Sequence, residues 1–356
     1  MRLRLLAVVV AVLLILVVVW QVTRDDDAVA GDCATTRTEV SGIVGSEKEA
    51  FLSDARVVEA LGCAGFTLRI DADGSRDMAE RVATGYDFAF PSSTPTAEKI
   101  MRGRNVTESY KPFSSVMVVA TFKPTVEVLR RKNVVETVKG RDVVSIAKLV
   151  EMSRAGVTWK AINEGSPNGN VVMLRTTDPA DSNSAIMFLS IASAALNDGR
   201  PVGGADAVPK LMPDLCRLVL DQGTKPNTSG VLFEEYLTGG AERIPMALIY
   251  ESQFLDSVSD QKVPAGGENV LLFPNPTVYA WHTLVPLTPA GGEIGRLLRD
   301  DDTLKDIAVE YGFRPQGRRL DDRPNPPVVV EPPDYQVLEE MLDALADQRK
   351  AARCPK

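Results

Sequence analysis

Four short turns rich in small polar residues contain the side chains of this chain that are best suited to holding a ligand. In each case an apolar run of strand type leads into the turn and a helical pattern follows; the turns cover residues 45–48, 73–76, 91–95 and 178–184. In an open α/β sheet such turns meet at the carboxyl edge of the strands, where ligands bind. Their hydroxyls and the free N–H groups of the helix starts suit a polar or anionic ligand.

The hydroxyl residues of these turns have a second possible role, because Ser and Thr also cap helices. Ser46 and Glu49 have the spacing of a capping box, which leaves both roles open for Ser46. Three small polar residues open the apolar helix at 184–196, more than one cap requires, so the fourth turn favours a ligand. The candidate ligand-binding residues, including a tyrosine at the end of a buried strand, are Ser46, Ser75, Ser93, Ser182, Asn183, Ser184 and Tyr250.

The sequence offers little for catalysis or metal binding. His282 is the only histidine, so a His-rich metal site is excluded, and its apolar surroundings in the sequence favour a structural role. Asp71 and Asp73 have the D-x-D pattern of calcium loops and of the metal–nucleotide sites of glycosyltransferases. No further acid or histidine ligand accompanies them, so a turn is the favoured interpretation. We therefore predict a protein that binds and does not catalyse, with no cofactor and no metal.

Composition limits the class of partner. The 356 residues suffice for two domains, and 44% hydrophobic with 25% charged residues is typical of a globular protein. The net charge is −8 and the pI is near 5.0, and no run of Lys and Arg with interleaved aromatics occurs. These features argue against nucleic acid as a partner.

The N-terminus has the pattern of a targeting segment. Arg2 and Arg4 precede an apolar run at 5–22, and acids dominate at 25–27. This charge asymmetry predicts a cytoplasmic N-terminus and export of the rest of the chain. The run has a length between that of a signal peptide and that of a full span. We expect either a retained anchor at the cell membrane, with the bulk extracytoplasmic, or a secreted protein cleaved after Ala30.

Four cysteines in an exported protein indicate two disulfides, for which three pairings are possible. We favour Cys33–Cys63 with Cys216–Cys354, because the first pair closes a short loop near the first strand.

The elements that must position the turns follow from periodicity. Strand and helix patterns alternate from 38 to 101, which predicts βαβ units and a largely parallel sheet. The segment 126–156 has a largely helical pattern, and 171–176 is predicted to be a buried strand. Two extended runs, near 113–122 and 277–287, bracket the central block. They predict two α/β lobes joined by two crossing strands, an arrangement that allows hinge closure around a ligand.

The expected organisation has four parts. Residues 1–35 form the signal or anchor segment and tether, 36–115 with 284–322 form lobe 1, 116–283 form lobe 2, and 323–356 form a Pro-rich connector and C-terminal helix. The connector is the only composition-biased tract, and no internal repeat is present.

The order of these motifs resembles that of the type 2 periplasmic solute-binding proteins, particularly the molybdate/sulfate/phosphate-like branch and its actinobacterial relatives. The likeness runs from about Thr38 to Pro315 and depends on order and spacing more than on any single motif. The segments that carry it are 44–48, 86–93, 176–185, 245–251 and 311–315.

This resemblance implies a two-lobed Venus-flytrap fold with a small polar or anionic ligand held at helix N-termini in the cleft between the lobes. It also implies delivery to an ABC permease. Two features depart from the family pattern: the lipoprotein cysteine is missing, and a Pro-linked helix follows the last shared segment. The Pro-rich connector and this helix support an alternative, a membrane-anchored sensor or interaction module that contacts a protein partner, such as another membrane protein, through its lobes or the helix at 335–353.

Overall fold

The computed structural model describes residues 33–74, 78, 85–264, 266–320, 323–351 and 354. The predicted targeting segment and the candidate residue Ser75 lie outside these ranges. Within them, no helix is both long and apolar enough to span a bilayer.

Mixed α/β structure fills the described ranges. The strands are β1 (Thr38–Gly45), β2 (Phe66–Asp73), β3 (Phe88–Phe90), β4 (Tyr110–Phe122), β5 (Val135–Val138), β6 (Arg141–Ser145), β7 (Met246–Tyr250), β8 (Asn269–Asn275), β9 (Tyr279–Pro286) and β10 (Arg314–Pro315). The helices are α1 (Glu49–Ser53), α2 (Ala55–Cys63), α3 (Thr94–Arg104), α4 (Lys123–Arg131), α5 (Ile146–Arg154), α6 (Trp159–Ile162), α7 (Asn183–Leu196), α8 (Val208–Leu220), α9 (Ser229–Arg243), α10 (Glu251–Ser259), α11 (Pro289–Asp300), α12 (Asp302–Glu310) and α13 (Tyr335–Lys350), with short 3-10 turns at Ser46–Lys48 and Ala205–Ala207.

The first three strands form the parallel sheet that the alternating pattern predicts. β1 lies between β2 and β3 and runs parallel to both. The helical pattern between β1 and β2 is divided at Asp54, whose carboxylate accepts a hydrogen bond from Arg56 N and so starts a second helix, α2. Parallel order brings the turns after β1 and β3 to the same edge of this sheet.

β4 connects the two halves of the structure. Its first part pairs with β9, as in the register of Phe113 with His282, and its second part pairs with β7 and β8. β9 in turn pairs with β3 at its other end. β4 and β9 are the two extended runs seen in the sequence.

Hydrophobic side chains are buried in two regions, one on each side of β4 and β9. The first core draws on residues 40–113 and 284–313, and the second core draws on residues 116–280 and 330–345. Apolar residues of α13, among them Leu338 and Met341, are buried in the second core with Leu215 of α8. The domain boundaries given above remain predictions.

Two predicted elements are wrong. The pattern at 126–156 is not one helical stretch, because β5 and β6 form a hairpin between α4 and α5. The two turn residues Lys139 and Gly140 both have positive φ, 49° and 74°, as a two-residue hairpin turn requires. Residues 171–176 form only isolated bridges, Thr158 with Val171 and Arg175 with Ala247.

Both favoured disulfides are present, Cys33–Cys63 and Cys216–Cys354. The second bond ties α8 to the chain that follows α13, and it therefore fixes the C-terminal helix to the second core.

Candidate functional site

The turns after β1 and β3 meet the ends of α7 and β7 in the interior of the protein. There a group of polar side chains is almost fully withdrawn from solvent, and we call it the buried polar cluster. Its members are Glu47, Lys48, Ser92, Ser93, Thr96, Asn183, Tyr250 and His282. Elements of the first core supply the first five members, the second core supplies Asn183 and Tyr250, and the crossing strand β9 supplies His282.

Lys48 is the cation of the cluster and is 0% exposed. Its ammonium donates to the carboxylate of Glu47 and lies 3.2 Å from both Ser92 Oγ and His282 Nδ1. The ring of Phe90 lies below it, with Nζ 4.9 Å from the ring centroid. The three donors of the ammonium therefore have three acceptors, as a buried charge requires.

The charges of this group are set by burial and by one another. Burial alone would raise the pKa of Glu47, but the charge of Lys48 and the contact with His282 hold that pKa well below its ordinary value. Burial lowers the pKa of Lys48, an effect that Glu47 opposes. Burial and the charge of Lys48 lower the pKa of His282 to about 4, against the opposing effect of Glu47. At neutral pH Glu47 is therefore ionised, and His282 is a neutral imidazole beside the Lys48–Glu47 ion pair.

His282 is enclosed by aromatic rings. Its ring centroid lies 5.3 Å from those of Phe113 and Phe313 and 5.7 Å from that of Tyr250. Among the described residues, none lies within hydrogen-bonding reach of His282 Nε2. The sequence-based interpretation of a structural histidine is therefore incomplete, because one ring nitrogen lacks a partner and the other contacts a buried cation.

Asn183 links the two sides of the structure. Its Oδ1 accepts from Ser93 Oγ and, at 3.1 Å, from Thr96 Oγ1, both on the first-core side. Its Nδ2 donates to the Tyr250 hydroxyl at 2.9 Å. Burial raises the pKa of Tyr250, and the charge of Glu47 adds to this effect, so the phenol stays protonated. Three of the seven candidate residues thus form one hydrogen-bonded chain.

The other candidates at the start of α7 lie beside this chain but bond among themselves. Ser184 Oγ lies 2.6 Å from Thr177 Oγ1 and 3.1 Å from Ser182 Oγ. Ser182 occupies the N-cap position without a side-chain capping bond, so its hydroxyl is not used as a cap. By contrast, Ser93 caps α3 by accepting from Thr96 N.

Ser46 lies at the boundary between the two sides and is only half-buried. No capping box forms, because the turn that starts at Ser46 has Gly45 as its N-cap and no side-chain capping bond. The Ser46 hydroxyl lies near α9, since a Cβ added at Gly230 would stand 3.8 Å from Ser46 Oγ.

Backbone from the two sides meets directly at the edge of the cluster. A Cβ added at Gly74, after β2, would stand 2.5 Å from the carbonyl oxygen of Asp181, which precedes α7. Together with the bonds of Asn183, this contact shows that the two sides are closed on each other. A ligand reaches the cluster only if they part or if side chains rearrange.

Each aspartate of the D-x-D pair accepts a hydrogen bond from within the chain. Asp71 accepts from the Tyr86 hydroxyl at 2.6 Å, and Asp73 accepts from Gly74 N at 2.8 Å. Within the described ranges, no three potential metal ligands lie together.

Sequence reasoning missed the centre of the cluster. Lys48 is not among the candidate residues selected from the sequence, yet it is buried, and Glu47 and Ser92 bind it. The available signal was the position of Lys48 directly after a buried strand, on the turn already selected as a ligand site.

Comparison with solved structures identifies the architecture. The sulfate-binding protein SubI from Mycobacterium tuberculosis H37Rv aligns with a TM-score of 0.54 and 14% identity, over 88% of this chain and 99% of SubI. Iron-bound HitA from Pseudomonas aeruginosa aligns with a TM-score of 0.55 and 12% identity, over 88% of this chain and 99% of HitA. Ferric ion-binding protein A from Pasteurella haemolytica aligns with a TM-score of 0.53 and 10% identity, over 88% of this chain and 98% of that protein.

The chain has the fold of the type 2 periplasmic solute-binding proteins. No protein-family model and no curated protein matches its sequence. At such low identity the likeness establishes the periplasmic binding-protein fold alone, and any statement about the ligand must come from the cluster itself.

Proposed function

We propose that this protein is an extracytoplasmic solute-binding protein that holds a small polar or anionic solute at the buried polar cluster, between its two lobes. One observation carries the proposal: Asn183 bonds to Ser93 and Thr96 on one side and to Tyr250 on the other. Polar side chains converge from both sides of a two-part fold at the place where such a fold closes.

The nature of the cluster favours binding over catalysis. Its hydroxyls and amide are neutral donors and acceptors that can exchange their mutual bonds for bonds to a solute. Proteins with a similar fold are named for sulfate and for iron, and these names support a small inorganic or polar solute as the class to test. An N-terminal membrane anchor and delivery to an ABC permease or another membrane protein belong to the same proposal.

A thermal-shift screen of the purified protein with oxyanions, amino acids and sugars tests this function. We expect one class to raise the melting temperature, and Tyr250→Phe to weaken binding of that solute by about tenfold, the effect of losing one hydrogen bond. Tyr236→Phe is the matched control, because Tyr236 is also a buried tyrosine, but its hydroxyl bonds to Thr121 O and Asn269 Oδ1. Absence of any shift, or equal loss in both variants, would refute the proposal.

The alternative of an interaction module loses its main support. The C-terminal helix that could meet a partner is packed on its own chain, with its apolar face in the second core. It also contacts α3 through the ion pair of Lys99 with Glu339 at 3.0 Å, and through Arg102 above the ring of Tyr335. Because the apolar face of this helix is already packed on its own chain, we favour the solute-binding function.

A further inference from the structure

The carboxylate of Glu47 is bound as a ligand anion would be. A single oxygen, Oε1, accepts from the Lys48 ammonium and the Ser92 hydroxyl, and it lies 3.3 Å from His282 Nδ1. The side chain of Glu47 is 4% exposed, so this arrangement is formed away from water. A cation and a hydroxyl that both donate to one oxygen form a site for an oxyanion, and the neutral imidazole beside it accepts from the same cation.

Glu47 lies on a short turn next to Gly45, and the carboxylate of Glu47 occupies the space where a side chain at position 45 would stand. A Cβ added at Gly45 would stand 2.7 Å from Glu47 Oε1 and 2.8 Å from Oε2. The backbone of Gly45 is in the extended region, with φ −64° and ψ 139°, so the backbone itself does not require glycine. The absence of a side chain at this position leaves the space that the carboxylate fills.

Charge balance then limits what can replace Glu47. The Lys48 ammonium is fully buried, and a buried charge without a partner strongly destabilises the folded protein. Any solute that displaces the Glu47 carboxylate must therefore bring a negative charge of its own to the same position. A neutral sugar or a cation would leave Lys48 uncompensated.

We propose that Glu47 occupies, from within the chain, the position of the anionic group of the solute, and that a carboxylate or a tetrahedral oxyanion binds by displacing it. This inference rests on the proposed function and narrows its solute to anions. Glu47 then acts as an internal competitor that lowers the apparent affinity of the intact protein.

Removal of the internal carboxylate tests the inference. In Glu47→Ala the melting temperature should fall, and formate, acetate or sulfate should restore it in comparison with chloride at equal ionic strength. The same salts should shift the wild-type protein and the neighbouring exposed-site variant Glu49→Ala much less. In the double variant Glu47→Ala with Lys48→Met, which has no buried cation, the rescue should disappear.

A second variant keeps the test decisive if Glu47→Ala does not fold. Glu47→Gln has the same shape without the charge, and titration calorimetry should show anions binding at least about tenfold more tightly than to the wild type. The inference is wrong if anions stabilise the Glu47 variants no more than Glu49→Ala, or bind Glu47→Gln no better than the wild type. If the wild type meanwhile binds a neutral solute, the proposed function stands and only the inference fails.

Discussion

The ammonium of Lys48 lies 3.2 Å from Nδ1 of His282, although 234 residues separate them along the chain. This contact joins the turn after β1 to the crossing strand β9 and places a cation beside a base in a dry interior. Burial and that cation lower the pKa of His282 to about 4 from 6.5. The contact therefore gives stability a dependence on pH that the sequence alone does not reveal.

Acid should destabilise the protein through this single histidine. Between pH 6.5 and about 4 the unfolded chain binds a proton on His282 that the folded protein excludes, so the free energy of unfolding falls as the pH is lowered. The expected loss from about pH 7 to about pH 5 is about 2 kcal/mol. Glu47, whose folded pKa is depressed, adds a further loss below its ordinary value of 4.5.

Urea unfolding at several pH values measures this effect, with His282→Gln as the comparison. Glutamine keeps an acceptor for Lys48 but does not titrate, so the variant should lose most of the pH dependence between about pH 7 and about pH 5. Equal slopes for the two proteins would show that His282 is not the group responsible.

Removal of the side-chain amide of Asn183 should lower the free energy of unfolding substantially. Asn183→Ala leaves the hydroxyls of Ser93, Thr96 and Tyr250 buried without their shared partner. We expect the free energy of unfolding to fall by about 2 to 4 kcal/mol, since each unsatisfied buried group costs about 1 kcal/mol or more. Asn163→Ala, at an exposed position, should change it by less than about 0.5 kcal/mol. Similar values for both variants in denaturant titrations would contradict the network.

The two disulfides should differ in their contribution to stability. Cys33–Cys63 spans 30 residues and Cys216–Cys354 spans 138, so the second restricts the unfolded chain more. Replacing the second pair by alanines should lower the free energy of unfolding by about 3 to 5 kcal/mol, about 1 kcal/mol more than replacing the first. Equal midpoint shifts in parallel urea titrations would instead indicate that packing, and not chain length, sets the difference.

Two glycines should respond to alanine with opposite signs. Gly140 has φ 74° in the β5–β6 turn, and nothing lies within 4 Å of an added Cβ, so Gly140→Ala should cost about 1 kcal/mol through backbone strain alone. Gly103 lies inside α3 with equally open space and no positive φ. Gly103→Ala should therefore stabilise by about 0.5 to 1 kcal/mol. A common sign in thermal unfolding would refute the backbone explanation.

Local signals located much of the fold. The alternation of strands and helices near the N-terminus predicted the parallel order of β1, β2 and β3, and the two extended runs predicted β4 and β9. The sequence did not predict the β5–β6 hairpin, because its turn is Lys139-Gly140 and not one of the usual Asn-Gly or Asp-Gly pairs. Residues 171–176 have strand composition but only isolated bridges, since composition does not show whether a partner edge is free.

Local sequence patterns also predicted part of the candidate site. Polar residues at helix starts pointed to Ser93 and Asn183, and the end of a buried strand pointed to Tyr250. That these three bond to one another could not be inferred, because the bonds join segments about 70 to 90 residues apart. Their role in binding remains a prediction.

The sequence by itself determined the periodicity of the elements, the presence of two disulfides and the turns where polar groups collect, because all of these depend on near neighbours or on counting. It favoured one of three possible cysteine pairings, and the structure confirms that pairing. Only the tertiary structure decided that Lys48 is buried, that Glu47 and His282 are its partners, and that Ser46 is not a cap. Burial and pairing of charges depend on which distant segments exclude water together, and no local pattern contains that information.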